Sequence, residues 1–199
     1  MNPANQLTLA RFFMTFVFVG LMAVDHVVAY ILAYPVFVAA TITDYYDGKI
    51  ARERNLVTNF GKLFDPVADK VLLAAGFLVL MTLDELRMPA WAVVVILARE
   101  FLITGARSLA ASEGVVIGAN VWGKTKAIIQ MVYIFAFLFF AIVAKALTMF
   151  FADAAFTGFF QTAVWHASYW AIILVGFFTL YSGYKFVRIN WQALRLRDL

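Results

Sequence analysis

Residues 44–69 read DYYDGKIARERNLVTNFGKLFDPVAD and contain four aspartates in two spaced pairs. Asp44 and Asp47 are three positions apart, whereas Asp65 and Asp69 are four apart. Side chains three or four positions apart share one face of an α-helix, so this spacing predicts two helices that each present a pair of carboxylates. Where two such helices meet across a hairpin, the four carboxylates form a cage of oxygen ligands.

An oxygen cage of this kind is typical of sites for the hard cations Mg²⁺ or Mn²⁺, which often take substrate phosphates as well. The chain has no Cys and only two His, which argues against a zinc site. The alternative is that the four acids are solvated on a surface loop or paired with Arg52, Arg54 or Lys62. Because acidic side chains are costly near membrane depth, we favour the metal site.

The composition around this stretch is that of an integral membrane protein. Of 199 residues, 64% are hydrophobic and only 14% are charged, which excludes an ordinary soluble domain. The sequence predicts an all-α membrane protein with one domain over residues 1–199 and six transmembrane helices, each approaching the length of about 20 residues that crosses a bilayer. The predicted spans are residues 7–24, 27–50, 67–83, 89–111, 126–150 and 163–189. Because proline is tolerated in a first helical turn, Pro66 predicts that the third helix starts near Asp65.

The basic residues predict how these helices are oriented. Six spans place both termini on the same side as the four aspartates. Twelve of the 16 Lys and Arg residues fall on that side, and two, Arg87 and Lys145, fall near the other. Cytoplasmic loops of membrane proteins carry the excess of Lys and Arg. Both termini and the acidic hairpin are therefore predicted to be cytoplasmic, and loop asymmetry explains the net charge of +4 better than nucleic-acid binding does.

Ionisable residues inside the fourth predicted span form a second candidate site. Residues 98–107 read AREFLITGAR, in which Glu100 and Arg107 fall on nearly the same helix face and Arg99 lies within about a quarter turn. Charged side chains inside a span usually face a cavity or a partner. A Glu–Arg pair that only locks helices together is the alternative. Two arginines against one glutamate leave a surplus positive charge, which favours an anion site.

Two further groups of polar residues admit structural explanations. Residues 122–126, WGKTK, lie at the predicted start of the fifth helix, where Lys124 and Lys126 are explained by composition as cytoplasmic anchors. Near the beginning of the chain, Asn5 suits a helix cap, and Arg11 suits a side chain that extends to the lipid headgroups.

The chain resembles the CDP-alcohol phosphotransferase family at every position of that family's signature, Asp44-x-x-Asp47-Gly48-x-x-Ala51-Arg52, eight residues, then Gly61-x-x-x-Asp65-x-x-x-Asp69. The resemblance implies the six-helix fold of that family and a homodimer formed through membrane helices. It also implies two ions, Mg²⁺ or Mn²⁺, bound by Asp44, Asp47, Asp65 and Asp69. Asp69 is implied to be the general base, a choice among the four that spacing does not make.

The resemblance assigns roles to other residues as well. The positions implied to contact the CDP-lipid are Asn5, Thr8, Gly48, Ala51, Arg52 and Thr58. Gly48 and Ala51 are equally expected where helices pack closely, whereas Arg52 suits bidentate binding of a phosphate. The opening Asn-x-Leu-Thr-x-x-Arg and the basic run 122–126 resemble the branch of the family that uses sn-glycerol 3-phosphate as acceptor. This implies that the acceptor phosphate is bound by Arg99, Arg107, Lys124 and Lys126.

The implied activity is transfer of the phosphatidyl group from CDP-diacylglycerol to sn-glycerol 3-phosphate, giving phosphatidylglycerol phosphate and CMP. Its implied place is the inner (cytoplasmic) membrane, among membrane lipids, with the active site facing the cytoplasm. Other acceptors, namely inositol phosphate, serine or phosphatidylglycerol itself, stay open within the same family. A divalent-cation transporter is the alternative from another class, but its acids should lie at the bilayer midplane, whereas these cluster at one end of the spans.

Overall fold

The computed structural model describes residues 3–53, 59–118 and 120–191, and of residues 3–4, 44–53, 59–63 and 65 it describes the backbone alone. Within these ranges the chain is all-α, and no strand occurs in them. The helices are α1 (Pro3–Met22), α2 (Val27–Glu53), α3 (Asn59–Met81), α4 (Ala90–Ser112), α5 (Val121–Phe150) and α6 (Ala155–Ile189). The prediction of an all-helical fold is therefore confirmed.

Three of these helices contain segments long and apolar enough to cross a bilayer by length and composition: Asn5–Met22, Val121–Phe150 and Ala155–Ile189. A shorter apolar segment, Val27–Thr43, lies in α2. Helices α3 and α4 contain charged residues such as Lys70 and Glu100, which lower their mean hydropathy. The apolar helices are those of a membrane protein, whereas the full set of six spans stays a prediction.

Four helices, α1, α3, α5 and α6, begin earlier than the predicted spans, and the difference is largest for α3 and α6. Helix α3 begins at Asn59, so the prediction that it starts near Asp65 is wrong, and Pro66 lies inside the helix. Proline removes one backbone hydrogen bond, but membrane helices tolerate this where neighbouring groups satisfy the freed carbonyl. Helix α6 begins at Ala155 rather than at residue 163, and the Thr157 hydroxyl in its first turn donates 2.7 Å to the Phe151 carbonyl.

Helix packing forms one bundle in which α1 contacts α2 and α3, and α6 contacts α4 and α5. Phe18, Phe37 and Ile134 are fully buried between these helices. A Cβ atom at Gly76 would lie 2.9 Å from the Ile134 Cδ1, so the small residue lets α3 approach α5 closely. The outward faces are apolar too, as expected for helices in contact with lipid tails.

An ion-pair cluster joins the loops at one end of the bundle. Lys145, near the end of α5, pairs with Asp25 in the α1–α2 loop and with Glu85 in the α3–α4 loop, the latter at 3.3 Å. The hydrogen bond from Lys145 holds the pKa of Asp25 below its usual value. The helices alternate in direction, so the acidic motif lies at the opposite end of the bundle.

Candidate active site

Asp69 is the aspartate of the motif whose side chain the structure describes. It lies in α3 and pairs with Arg11 of α1, while its own side chain remains 42% exposed. Arg11 is fully buried, so the interpretation that it extends to the lipid headgroups is wrong. Thr8, one turn earlier on α1, is buried beside it, and Asn5 is half-buried. Helix α1 therefore contacts Asp69 through Arg11, and the Asp69 side chain is still partly exposed.

Asp69 and its neighbour Lys70 line two polar cavities. The first, called here the inner cavity, has a volume of about 130 Å³, and its polar lining is Thr41, Asp69, Lys70, Glu100, Lys126 and Gln130. The second, called here the Arg107 cavity, has a volume of about 440 Å³, and its polar lining is Asp69, Lys70, Thr104, Arg107 and Ser108. Helices α3 and α4 contribute to both cavities, so Asp69 and the charged segment of α4 line the same two spaces.

Glu100 is the centre of the charged network beside the inner cavity. It is 2% exposed, and both of its carboxylate oxygens accept hydrogen bonds. Oε1 accepts from Lys126, from Arg99 at 3.3 Å and from Gln130 at 3.4 Å, whereas Oε2 accepts from Lys70 at 3.2 Å. One buried carboxylate thus pairs with three cations, which compensates charges that would otherwise be costly inside the bundle.

Polar residues of α5 and α6 complete this network, and sequence reasoning missed them. The Gln130 amide donates to the Thr179 hydroxyl at 3.2 Å, and Arg99 donates to the Ser182 hydroxyl at 3.0 Å. Ser182 in turn donates to the Trp122 carbonyl at 3.1 Å. The signal in the sequence is the spacing of Thr179 and Ser182, three positions apart and therefore on one face of a long apolar helix.

Arg107 differs from Arg99 and Lys126, because its guanidinium forms no hydrogen bond or ion pair with any side chain that the structure describes. Its Nε is buried without such a partner, and the group lies 5.0 Å from the centre of the Phe186 ring. Arg99 and Lys126 are instead bound to Glu100. Lys124 is exposed at the start of α5 and lines neither polar cavity.

Comparison with known proteins identifies the family of this chain. The model of the CDP-alcohol phosphatidyltransferase family matches residues 1–175, a range that includes α1 to α5 and most of α6. The chain belongs to the CDP-alcohol phosphatidyltransferase family. The family resemblance inferred from the aspartate motif is therefore confirmed.

Curated members of the CDP-alcohol phosphatidyltransferase family are similar over much or nearly all of the chain. The CDP-diacylglycerol--glycerol-3-phosphate 3-phosphatidyltransferase of Bacillus subtilis is 35% identical over 206 residues, 98% of this chain and 97% of the relative. The protein of the same name from Rickettsia typhi is 40% identical over 131 residues, 65% of this chain and 72% of the relative. A probable phosphatidylglycerophosphate synthase of Mycobacterium tuberculosis is 39% identical over 142 residues, 69% and 66% respectively.

The aspartate motif of this member of the CDP-alcohol phosphatidyltransferase family, which is predicted to bind metal, lies mostly outside the described side chains. The structure describes the side chain of Asp69 but not those of Asp44, Asp47 and Asp65, and among the side chains it describes no three acidic, His or Cys residues form a metal-binding group. Thr41 of α2, three positions before Asp44, lines the inner cavity together with Asp69. Helices α2 and α3 therefore meet at this cavity through Thr41 and Asp69, and carboxylates such as the four of the motif are the ligands that a hard divalent cation prefers.

Of the residues predicted to bind the CDP-lipid, too, the structure describes the side chains of some and not of others. Thr8 is buried on α1, near the Arg11–Asp69 pair. The side chains of Gly48, Ala51 and Arg52 lie outside the described residues, as does the whole of Thr58. In this member of the CDP-alcohol phosphatidyltransferase family, the lipid-nucleotide contacts of α2 therefore stay predictions from the motif.

Proposed function

We propose that this protein transfers the phosphatidyl group of CDP-diacylglycerol to sn-glycerol 3-phosphate, forming phosphatidylglycerol phosphate and releasing CMP. The observation that carries the proposal is the Arg107 cavity, which is lined by a carboxylate, Asp69, and by an arginine whose donors no described side chain uses. The sequence that builds this cavity is 35% identical, over nearly its whole length, to a relative whose name states this reaction.

Asp69 is the base in this proposal. Its partly exposed carboxylate takes the proton of the acceptor hydroxyl, and the acceptor oxygen then attacks the phosphorus on the lipid side of the pyrophosphate. A new phosphorus–oxygen bond forms, the bond from that phosphorus to the oxygen of CMP breaks, and CMP leaves with the electron pair. Arg11 holds the Asp69 carboxylate in position, since the two are paired across α1 and α3.

Arg107 binds the phosphate of the acceptor. A guanidinium presents donors in a planar fork that matches phosphate oxygens, and Arg107 has donors that no described side chain uses. Arg99 and Lys126, which are paired with Glu100, add positive potential inside the bundle, and Lys124 adds it at the surface. Together with Arg107, these residues favour an anionic acceptor. These different roles are consistent with the different burial of the four residues.

The proposal includes a metal site and a CDP-lipid site. Asp44, Asp47, Asp65 and Asp69 hold two ions, Mg²⁺ or Mn²⁺, which when bound supply neutralisation of the pyrophosphate and of the departing CMP. Asn5, Thr8, Gly48, Ala51, Arg52 and Thr58 bind the CDP portion of the lipid. The support is the complete signature in the sequence and the junction of α2 and α3 at Thr41 and Asp69.

We also propose that all six helices span the inner membrane, that both termini and the active site face the cytoplasm, and that the protein is a homodimer. The excess of Lys and Arg on the side of the motif supports the orientation. The cluster of Lys145, Asp25 and Glu85 at the other end supports short loops on the opposite face. The dimer rests on the family resemblance.

Release of CMP by the purified protein tests the reaction directly. With CDP-diacylglycerol and a divalent cation present, sn-glycerol 3-phosphate should support CMP release, whereas inositol phosphate, serine and phosphatidylglycerol should not. Release that depends on one of the other acceptors would replace the proposed acceptor. Release that needs no acceptor would contradict transfer altogether.

Arg107→Ala tests the acceptor site. Loss of charge-assisted hydrogen bonds to a phosphate should raise the KM for glycerol 3-phosphate by about ten- to a hundredfold. Arg87→Ala is the matched control, because Arg87 also stacks on aromatic rings, 4.4 Å from Trp165 and 4.6 Å from Tyr169, but lies at the opposite end of the bundle. An unchanged acceptor dependence in Arg107→Ala would remove Arg107 from the site.

A further inference from the structure

Lys70 lies at the junction of three cavities. It lines the inner cavity and the Arg107 cavity beside Asp69. It also lines a third space, an apolar groove of about 500 Å³ between α1, α3 and α4, whose other walls include Ala74, Leu78 and Phe101. The apolar walls of that groove offer no partner to an ammonium group, so an anionic partner for Lys70 has to come from the polar side.

The hydrogen bonds of Glu100 distinguish Lys70 from the other two cations. Arg99 and Lys126 share Oε1, and their side chains are 8% and 7% exposed. Lys70 is bound by Oε2 alone, and its side chain is 24% exposed. Its distance to Oε2 is 3.2 Å, longer than the roughly 2.7–2.9 Å usual for charge-assisted bonds. Lys70 is thus the most exposed of the three, and Glu100 is its one acceptor among the described side chains.

Lys70 has more donors than the described side chains accept from. An ammonium carries three donors, and among the side chains that the structure describes Lys70 has one acceptor, Glu100. Among the described side chains that line the Arg107 cavity, two are cations, Lys70 and Arg107, and one is a carboxylate, Asp69, which is paired with Arg11. An anionic group in that cavity would therefore meet both cations next to the proposed base.

We propose that Lys70 binds a phosphate group of a substrate at this junction, with Glu100 as the positioning residue that holds its ammonium toward the polar cavities. The inference rests on the proposed function, which supplies two sources of phosphate. One is sn-glycerol 3-phosphate, and the other is the pyrophosphate of CDP-diacylglycerol. Both place negative oxygens within the reach of a lysine adjacent to Asp69.

Lys70→Gln tests the proposal, with Lys145→Gln as the matched control. Lys145 has nearly the same exposure, 22%, and likewise pairs with a buried glutamate, Glu85, but at the other end of the bundle. Both variants should lower the melting temperature of the purified protein, because Lys145→Gln removes the cation paired with the buried Glu85 and Lys70→Gln removes one of the three cations paired with the buried Glu100. Only Lys70→Gln should raise a KM, by about ten- to a hundredfold, with kcat changed much less. Lys70→Arg, which keeps the charge, should recover most of that loss.

The KM that rises identifies the source of the phosphate. A rise for glycerol 3-phosphate alone assigns Lys70 to the acceptor, and a rise for CDP-diacylglycerol alone assigns it to the lipid nucleotide. If neither KM rises, or if Lys145→Gln shows the same rise, the proposal is wrong. Such a result would not affect the proposed function, which is tested by the dependence of wild-type CMP release on glycerol 3-phosphate.

Chemical labelling of the wild-type protein decides the matter if Lys70→Gln does not fold. An amine-acylating reagent should modify Lys70 more slowly when glycerol 3-phosphate or CDP-diacylglycerol is present, as measured by mass spectrometry. Modification of Lys145 in the same sample should not change. Equal labelling of Lys70 with and without both substrates would overturn the proposal.

Discussion

Replacement of Glu100 by Gln removes one negative charge from beneath three cations. Arg99 and Lys126 are 8% and 7% exposed, so neither can recover full hydration when its partner is lost. Lys70 is 24% exposed and can turn toward solvent, so its contribution is discounted. Removing one partner of a buried ion pair costs about 3–5 kcal/mol. Because Gln retains an acceptor, we expect Glu100→Gln to lower the free energy of unfolding by about 3 kcal/mol.

Thermal unfolding of the purified protein in detergent measures this loss. For a chain of this length, 1 kcal/mol corresponds to about 2–4 °C in melting temperature, so Glu100→Gln should melt roughly 6–12 °C lower than the wild type. Glu113→Gln is the matched control, because Glu113 is an exposed residue at the end of α4, and its replacement should change stability by less than about 0.5 kcal/mol. Equal melting temperatures of the two variants would refute the role of Glu100.

A double variant separates pairing from packing. Lys126→Met in the Glu100→Gln background removes the cation that lost its partner. The double variant should therefore be less destabilised than the sum of the two single variants, by about 0.5–3 kcal/mol. Strict additivity would show that Glu100 and Lys126 do not act as a pair.

Three further predictions concern the reaction and the opposite end of the bundle. Asp69→Asn should lower turnover by about 10²–10⁴-fold while CDP-diacylglycerol binding, measured by calorimetry, is largely kept; loss of both would contradict its role as the base. Chelation of divalent cations should abolish CMP release, and added Mg²⁺ or Mn²⁺ should restore it; activity that survives chelation would argue against the metal site. The pKa of Asp25 is lowered because Lys145 donates a hydrogen bond to it. The ion pair therefore stabilises the fold at pH values above the ordinary carboxyl pKa of about 4. This stabilisation is lost as the pH falls through the lower pKa of the folded state. The difference in melting temperature between wild type and Asp25→Asn should be constant from about pH 5 to 7 and shrink below about pH 4; the same difference at pH 3 would contradict this linkage.

The sequence predicted the parts of this protein that depend on local spacing. The two aspartate pairs lie on α2 and α3, and Glu100, Arg99 and Arg107 lie on α4, as their positions in the apolar runs indicate. The family follows from the same motif, because a pattern of acids and small residues over one short stretch needs no knowledge of the packing. Helix ends were predicted less well, since α3 continues through Pro66.

Only the tertiary structure decided which charges are paired. The sequence by itself determined that α4 carries two arginines and one glutamate on neighbouring faces. The bundle decided that Arg99 binds Glu100 and Ser182, that Arg11 is buried against Asp69, and that Arg107 lines a cavity without a hydrogen bond to any described side chain. The physical reason is that the period of a helix states which side chains share a face, whereas the rotation and close approach of neighbouring helices determine what that face meets.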